Sequence, residues 1–399
     1  MDRNNQLTLF QATHNNHEIE YTDLPEYNNV SEAEAKITLT FKFRNEEDYL
    51  DFKEQVKNKI YNGDKFIDGN QGIEEKQSWF PLNKKESHHI VLDEKKLNPR
   101  FPVYIVSKGR WKRNPTVDSL KMMNVPFYIV IEEDEYYKYL KLTSKDNLLI
   151  LPKAYKDNYD TFWKDNDPRT GPGPARNFAW EHSIKNGYDW HWVMDDNIEH
   201  FNYFNNNIRA FCTTGACFYI CEDFVLRYEN IAVSGLNYTN FCHRHEGINK
   251  RPPLIFNTRI YSCLLIRNDI PYRWRGRYNE DTDLSIRVMK DGWCTVQFSN
   301  FLQGKMSTQK MKGGNTDEFY DPEGTKRKSQ MLVDMHPDIV TLTDKFNRWH
   351  HHVNFKTLKR NKLKRKKSFV SKNKINNYGL KIVNIHKHWR EHLKNGHDG

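Results

Sequence analysis

Short apolar runs alternate with helical patterns from Pro102 onward. PVYIV, PFYIVI and NLLIL have the composition of buried strands, and the segments between them, PTVDSLKMMN and DEYYKYLKL, have that of helices. Repeated β-α-β units of this length predict a parallel sheet with right-handed crossovers. This part of the chain is therefore predicted to be an α/β domain that binds its ligands at the carboxyl ends of the strands.

An aromatic strand that ends in acids is the strongest indication of a site. Residues 188–197 read YDWHWVMDDN, so Asp195, Asp196 and Asn197 follow Trp190 to Met194. Adjacent carboxylates repel unless a cation lies between them, and Mg²⁺ or Mn²⁺ is commonly held by one or two carboxylates and substrate phosphates. We expect a metal at these three residues. The alternative is that Asp196 or Asn197 caps the segment that begins at Ile198.

Polar residues also follow the first strand and open a later helix. TGPGP precedes a predicted helix that begins near Pro174, so its first turn lies near the edge carrying Asp195. The loop after the first strand and the first turn of this helix are positions at which α/β proteins bind phosphates. The alternatives are that the loop residues are ordinary surface charges and that Arg176 forms a structural ion pair with Asp196. The residues expected to contact a phosphorylated donor are Ser107, Lys108, Arg110, Arg176 and Asn177.

A second acidic cluster follows the first by about 85 residues. In RYNEDTDLSIRVMKDGW, Glu280 and Asp281 are predicted to precede a helix that Thr282 or Asp283 caps. Acids at helix starts are common. A carboxylate cluster within the same sheet domain is also suited to proton abstraction, so one cluster would hold a metal and the other would act as a base.

Charge is distributed unevenly along the chain. The formal net charge is +10, but residues 1–95 carry 12 Lys and Arg against 19 Asp and Glu, and residues 341–399 carry 16 against 3. Basic residues interleaved with aromatics suit phosphates and unstacked bases, whereas a solvated tail is the alternative. The residues expected to contact nucleic acid are Arg360, Lys364, Arg365, Lys366 and Lys367.

The flanks and the cysteines bound the remaining possibilities. Residues 1–34 are polar and predicted to be disordered, and 35–95 to form a small α+β domain with a helix opened by Asn45. The six cysteines match no common zinc spacing, which predicts reduced thiols. We found neither a secretory pattern nor an apolar run of about 20 residues, so we expect a cytoplasmic protein without a membrane partner.

Several motifs, in this order, resemble the TET-associated glycosyltransferases, phage-type enzymes related to the GT-A glycosyltransferases. They are VYIVSKGRW, GPGPARN, WVMDDN, NTRIYSCLLIRND, RWRGRYNEDTDLSIRVMKDGW and LQGKMSTQKMKGGNT, over about 102–360. The resemblance implies a GT-A-like, Rossmann-type sheet domain at 100–340. The small domain at 35–95 would precede it, and a basic, helical nucleic-acid-binding extension at 341–399 would follow.

The resemblance also implies an activity, namely transfer of a sugar from a nucleotide-sugar to hydroxymethylated pyrimidines in DNA, in the host cytoplasm if the gene is a phage gene. Asp195 and Asp196 would be the metal motif, with Asp-Asp-Asn in place of Asp-X-Asp. Asp281, or else Glu280, would be the base. The late loop of Gly313, Gly314 and Asn315 would cover donor or acceptor. The alternatives are a glycan or protein acceptor and a non-enzymatic nucleic-acid-binding module.

Overall fold

The computed structural model describes residues 45–48, 50, 67–68, 76–77, 90–93, 97–163, 169–205, 208–242, 253–305, 321–345, 348–368 and 381–384. The predicted disordered N-terminus and the loop of Gly313, Gly314 and Asn315 lie outside these residues. No helix in the described ranges is both long and apolar enough to cross a membrane.

A mixed sheet of twelve strands organises the described part of the chain. Its strands are β3 (Ile90–Asp93), β4 (Val103–Val106), β5 (Tyr128–Ile131), β6 (Leu148–Ile150), β7 (Trp190–Asp195), β8 (Ile198–Asn205), β9 (Ile208–Phe211), β10 (Ile231–Tyr238), β11 (Leu254–Phe256), β12 (Cys263–Arg267), β13 (Cys294–Lys305) and β16 (Lys381–Asn384). Their order in the sheet is β16-β3-β9-β8-β13-β10-β12-β7-β4-β5-β6, and β11 pairs with β13. Two further sheets have two antiparallel strands each: β1 (Ile67–Asp68) pairs with β2 (Lys76–Gln77), and β14 (Val340–Lys345) pairs with β15 (Arg348–Val353).

Parallel pairing brings the carboxyl ends of several strands to one edge. β4 is parallel to β5 and β7, and β5 is parallel to β6. β12 runs antiparallel to both β7 and β10, so β10 runs in the same direction as β7, and β13 is parallel to β10. The α/β class predicted from the strand-helix alternation is confirmed, with antiparallel strands inserted between the parallel ones.

Helices cover both faces of this sheet. They are α1 (Pro115–Met122), α2 (Tyr136–Tyr139), α3 (Lys153–Asp157), α4 (Gly173–Lys185), α5 (Ala216–Val225), α6 (Glu280–Lys290) and α7 (Asp321–Met335). α5 belongs to one buried cluster, whereas α4 and α6 belong to the cluster on the opposite face. Successive strand residues point to opposite faces, so Trp192 and Met194 enter the first cluster and Val193 enters the second. The same alternation directs Asp195 toward α4 and α6.

The structure contains some of the helix caps predicted from the sequence and lacks others. Asn45 accepts a hydrogen bond from the backbone of Asp48 at 2.8 Å, as its predicted cap position requires. The helix predicted to follow Glu280 begins at that residue, and Asn279 in the left-handed conformation is its cap. The predicted cap at Asp283 is wrong because this side chain is buried inside the helix against basic partners.

The C-terminal stretch differs from the predicted helical extension in its described part. In this part of the chain, β14 pairs antiparallel with β15, Leu358–Arg360 form a 3₁₀ turn, and β16 pairs with β3 in the central sheet. Alternating β-branched and apolar residues at the start of this stretch favour strands over a helix. The domain boundaries themselves stay predictions.

The basic segment 361–366 lies along the sheet edge where the parallel strands begin. Asn361 donates to the backbone of Met289 and Trp293, and the backbone of Lys364 contacts Asn230 and Glu229. Asn230 immediately precedes β10, whose other end carries Tyr238. A strand of eight residues spans roughly 25 Å. The basic segment is therefore separated by about that distance from the opposite edge.

Candidate active site

A cleft of about 1150 Å³ opens at the carboxyl edge of the parallel strands. The end residues of β4, β7, β10 and β13 line it, together with residues that flank the starts of α4 and α6. Nine Lys and Arg side chains and five Asp and Glu side chains are among its lining residues. An excess of cations in a partly enclosed cleft attracts anionic ligands.

Asp195 is held by two cations, the buried Arg176 and the partly buried Lys305. Arg176 Nη2 lies 2.8 Å from one carboxylate oxygen, and Lys305 Nζ lies 2.6 Å from the other. Burial alone would raise the pKa of Asp195, but Lys305 and Arg176 outweigh it and lower the pKa. Asp195 therefore stays ionised in the cleft. Lys305 also donates to Ser262 at 2.8 Å, which fixes its ammonium group at the end of β13.

Asp196 faces the first βα loop instead. Arg110 forms an ion pair with one carboxylate oxygen, and Ser107 donates to the other at 2.7 Å. Ser107 is in turn bonded to Tyr139 at 2.7 Å and to Asn114 at 3.1 Å. Burial raises the pKa of Asp196, and the contacts with Arg110 and Ser107 oppose that shift. The two neighbouring acids thus have separate sets of partners.

Arg176 joins the two acidic clusters. It lies in the first turn of α4, is 2% exposed, and its Nη1 atom binds Asp281 as well as Glu280, the latter at 3.1 Å. Burial raises the pKa of Asp281 to about 7, although Arg176 opposes the shift. Burial also raises the pKa of Glu280. A carboxylate whose pKa is near neutrality can accept a proton from a substrate at physiological pH.

Steric contacts explain why both glycines of TGPGP, Gly171 and Gly173, lack a side chain. Gly171 has a φ of +71°, and a Cβ atom there would lie 2.7 Å from the carbonyl oxygen of Arg277. At Gly173 a Cβ would lie 1.8 Å from the hydroxyl oxygen of Tyr159. The loop consequently packs closely against Tyr159 and against Arg277, which lies just before Glu280. This contact brings the start of α4, with Arg176, beside the start of α6.

The remaining predicted donor residues have different surroundings. Lys108 is exposed and lines the cleft. Asn177 accepts from the backbone N–H of Trp274 at 2.8 Å and donates to the carbonyl of the same residue at 3.0 Å. Both ends of this amide thereby fix the chain before α6, and Asn177 does not line the cleft.

The oxygen donors at the end of β7 suit a hard divalent cation. Asn197 is buried, lines the cleft, and its Oδ1 atom has no hydrogen-bond partner among the described residues. Asp196 contributes carboxylate oxygens beside it. No group of three or more His, Cys, Asp and Glu side chains with metal-binding geometry occurs in the described ranges. Mg²⁺ needs only one or two carboxylates when substrate phosphates complete its coordination, so these residues fit such an ion.

The cleft includes functional candidates that the sequence did not indicate. Lys305 is the last residue of β13, and Arg259 and Lys328 line the cleft from other segments. The signal for Lys305 was its place in the LQGKMSTQKMKGGNT motif, to which no catalytic or binding role was assigned. His350 and His351 also line the cleft, and burial lowers the pKa of His351 to about 3, so its imidazole is neutral.

Comparison with known proteins identifies the family. A profile described as TET-Associated Glycosyltransferase matches residues 101–314, which is more than half of the chain and includes both acidic clusters. The chain belongs to the TET-associated glycosyltransferase family. A structure titled as a putative nucleotide-diphospho-sugar transferase from Desulfovibrio desulfuricans G20 covers 59% of this chain and 95% of its own, at 9% identity and a TM-score of 0.30. No curated protein sequence matches the chain.

Membership of the TET-associated glycosyltransferase family supports an enzyme that uses a nucleotide-sugar. The matched region begins just before β4 and extends beyond β13, so it covers the strands that carry Asp195 and Lys305. The strands β3 and β16 lie outside the match but pair with the same sheet.

Proposed function

We propose that this TET-associated glycosyltransferase transfers a sugar from a nucleotide-sugar to the hydroxymethyl group of a modified pyrimidine in DNA, with Mg²⁺ or Mn²⁺ as cofactor. The observation that carries the proposal is the meeting of Asp195 and Asp281 across Arg176 within one cationic cleft. The cluster at Asp195 would hold the metal that neutralises the departing diphosphate. The cluster at Asp281 would accept the proton of the attacking hydroxyl.

The donor half lies at the ends of β4, β7 and β13. A nucleoside diphosphate is strongly anionic, and Lys108, Arg110 and Lys305 surround this part of the cleft. The amino end of α4 adds the positive end of a helix dipole. These fixed charges stabilise the negative charge that develops on the leaving group.

The divalent ion would be held by Asp196 and Asn197, with Asp195 beside them. When bound, it supplies further charge neutralisation for the diphosphate. The protein's own residues divide the remaining work. Arg176 orients Asp195 and Asp281 relative to one another, while Lys305 contacts Asp195 from the side of β13.

Asp281 acts as the general base in this mechanism. The acceptor hydroxyl transfers its proton to the Asp281 carboxylate as its oxygen forms the bond to the anomeric carbon. The bond between that carbon and the diphosphate breaks in the same displacement, and the configuration is inverted. Glu280 shares Arg176 and is the alternative base. The raised pKa of Asp281 favours proton uptake near neutral pH.

A glycan or protein acceptor is the second candidate. The observation that favours it is the position of the described basic segment, which lies at the sheet edge opposite the cleft. If DNA were the acceptor, these basic residues could contact it only beyond the target nucleotide. They are Arg360, Lys364, Arg365, Lys366 and Lys367. The cationic lining of the cleft supports DNA as the first choice.

We expect the reaction in the cytoplasm, the compartment in which free thiols persist. All six cysteines are buried, and none of them forms a disulfide bond. The decisive experiment incubates the protein and Mn²⁺ with nucleotide-sugars and DNA that contains 5-hydroxymethylcytosine or 5-hydroxymethyluracil. Digestion to nucleosides and mass spectrometry should show the gain of one sugar on one modified base. Transfer only to glycans or proteins in a parallel assay would establish the second candidate.

A further inference from the structure

Three aromatic side chains form one wall of the cleft, next to the second acidic cluster. Tyr238 ends β10, Phe241 lies in the following 3₁₀ turn, and Tyr261 precedes β12. The rings of Tyr238 and Tyr261 are nearly parallel, with centroids 6.3 Å apart, and Phe241 meets Tyr238 edge to face at 5.4 Å. Phe241 is 51% exposed. We name Tyr238, Phe241 and Tyr261 the aromatic wall.

Hydrogen bonds hold the aromatic wall beside the reacting groups. Tyr238 is bonded to Ser262 at 2.8 Å, and Ser262 accepts from Lys305. The Tyr261 hydroxyl accepts a hydrogen bond at 3.4 Å from Thr282, which is the residue after Asp281. Both tyrosine rings are thus fixed by their hydroxyl groups between the donor side of the cleft and the proposed base. Phe241 has no such group and presents its ring to solvent.

The proposed general base is almost fully buried at the floor of the cleft. Asp281 is 9% exposed and Glu280 is 7% exposed. A C5 substituent of a stacked pyrimidine is itself recessed in the major groove, which is about 8.5 Å deep. A base that leaves the stack can instead carry its C5 substituent into the cleft and reach a buried carboxylate.

We infer that the aromatic wall is a stacking platform for an extruded hydroxymethylpyrimidine. This inference rests on the proposed function and specifies how that site receives its acceptor. A pyrimidine stacked on Phe241 and Tyr261 would direct its C5 substituent toward Asp281. Arg259, whose guanidinium lies 5.3 Å from the centre of the Tyr261 ring, is placed to contact the base plane or its phosphate.

The pairing state of the target base gives the first test. Initial rates are measured at subsaturating DNA with one hydroxymethylpyrimidine per oligonucleotide, either correctly paired, opposite a mismatch, or in a single strand. Extrusion costs a few kcal/mol that mismatched and single-stranded substrates avoid, so both should react at least about tenfold faster than the paired substrate. Equal rates, or a preference for the correctly paired duplex, would overturn the inference.

A variant pair gives the second test. Phe241→Ala should raise KM for single-stranded substrate about tenfold, and more than it raises KM for the nucleotide-sugar, whereas Phe241→Tyr should restore binding. Tyr137, which is 81% exposed and outside the cleft, supplies the matched control Tyr137→Ala, with KM unchanged. An unchanged KM in Phe241→Ala would also overturn the inference.

Failure of the inference is distinguishable from failure of the proposed function. If sugar is transferred to paired and unpaired DNA at the same rate, only extrusion onto the aromatic wall is wrong. If no DNA substrate gains a sugar although the donor binds, the DNA acceptor itself is wrong. Donor binding is measured separately by calorimetry in the absence of DNA.

Discussion

Lys305 Nζ lies 2.6 Å from a carboxylate oxygen of Asp195, across 110 residues of sequence. The ion pair joins the ends of β7 and β13, which are separated in the sheet by β10 and β12. Arg176 occupies the other oxygen of the same carboxylate. The charge of Asp195 is therefore balanced by the protein, and both cations remain beside the proposed diphosphate site.

Lys305 is expected to contribute directly to turnover. Lys305→Met should lower kcat by about 10²- to 10³-fold, because it removes a fixed positive charge from the departing diphosphate. Steady-state kinetics with DNA and donor would measure the effect. Lys290, which pairs with Asp338 at 2.7 Å outside the cleft, provides the matched control Lys290→Met, expected to keep its kcat. Normal turnover in Lys305→Met would exclude this role.

Asp281 and its neighbour Asp283 should give opposite results. Asp281→Asn should lower kcat by about 10²- to 10⁴-fold with the fold intact, because it removes the base. Asp283→Asn should instead lower the free energy of unfolding by about 3–5 kcal/mol, because Asp283 is fully buried and binds Arg275, Arg287 and His336. Kinetics and urea unfolding separate the two effects. A turnover-competent Asp281→Asn would remove Asp281 from its role.

The pH dependence should report the raised pKa of Asp281. As a base it must be ionised, so kcat/KM should increase as the pH rises through about 7 and then level off. The stability contribution has the opposite sign. The folded protein holds this proton more tightly than the unfolded chain, so stability from Asp281 is full below about pH 4 and is lost as the pH rises through 7.

This pH effect is measured as the difference in the free energy of unfolding between the unmodified protein and Asp281→Asn at each pH. The variant should show a smaller loss of unfolding free energy between pH 5 and pH 8 in urea titrations. Burial raises the pKa of Glu222 to about 7 as well, but Glu222 is present in both proteins and cancels. Identical pH slopes would show that Asp281 does not titrate in this range.

Binding of the divalent ion should depend on Asp196. We expect a chelator to abolish sugar transfer and Mn²⁺ to restore it, since Asp196 and Asn197 offer hard oxygen ligands. Asp196→Ala should lose Mn²⁺ binding in electron paramagnetic resonance titrations, whereas the control Asp223→Ala, outside the cleft, should keep it. Full turnover with chelator would show that the protein's cations suffice.

The basic segment should affect DNA affinity and not the chemical step. The side chain of Asn361 and the backbone of Lys364 are hydrogen-bonded to the domain, so deletion would also disturb folding. Charge removal is the cleaner change. Replacing Lys364, Lys366 and Lys367 with Gln should reduce the dependence of log Kd on log salt by up to about 0.9 per lost contact. The same replacement at the exposed Lys138, Lys141 and Lys145 is the control. Equal salt slopes would identify the segment as a solvated surface.

Local pattern was sufficient for the elements that carry the site. The apolar runs before Ser107 and Asp195 predicted β4 and β7, because a buried strand needs a continuous apolar sequence and ends where charges begin. The prolines and glycines of TGPGP predicted the start of α4, and thereby the position of Arg176. Both acidic clusters were expected in one domain, and the structure brings them together.

By itself, the sequence determined the α/β class, the family and the ends of the parallel strands. Only the tertiary structure decided which cation binds which acid: Arg176 pairs with Asp195 and not Asp196, and Arg110 pairs with Asp196. It also decided that Lys305 enters the cleft and that the basic segment lies at the opposite edge. Periodicity specifies which residues are buried in a strand, but not its neighbours in the sheet. The order β13-β10-β12-β7 arises from long-range packing, which no local pattern encodes.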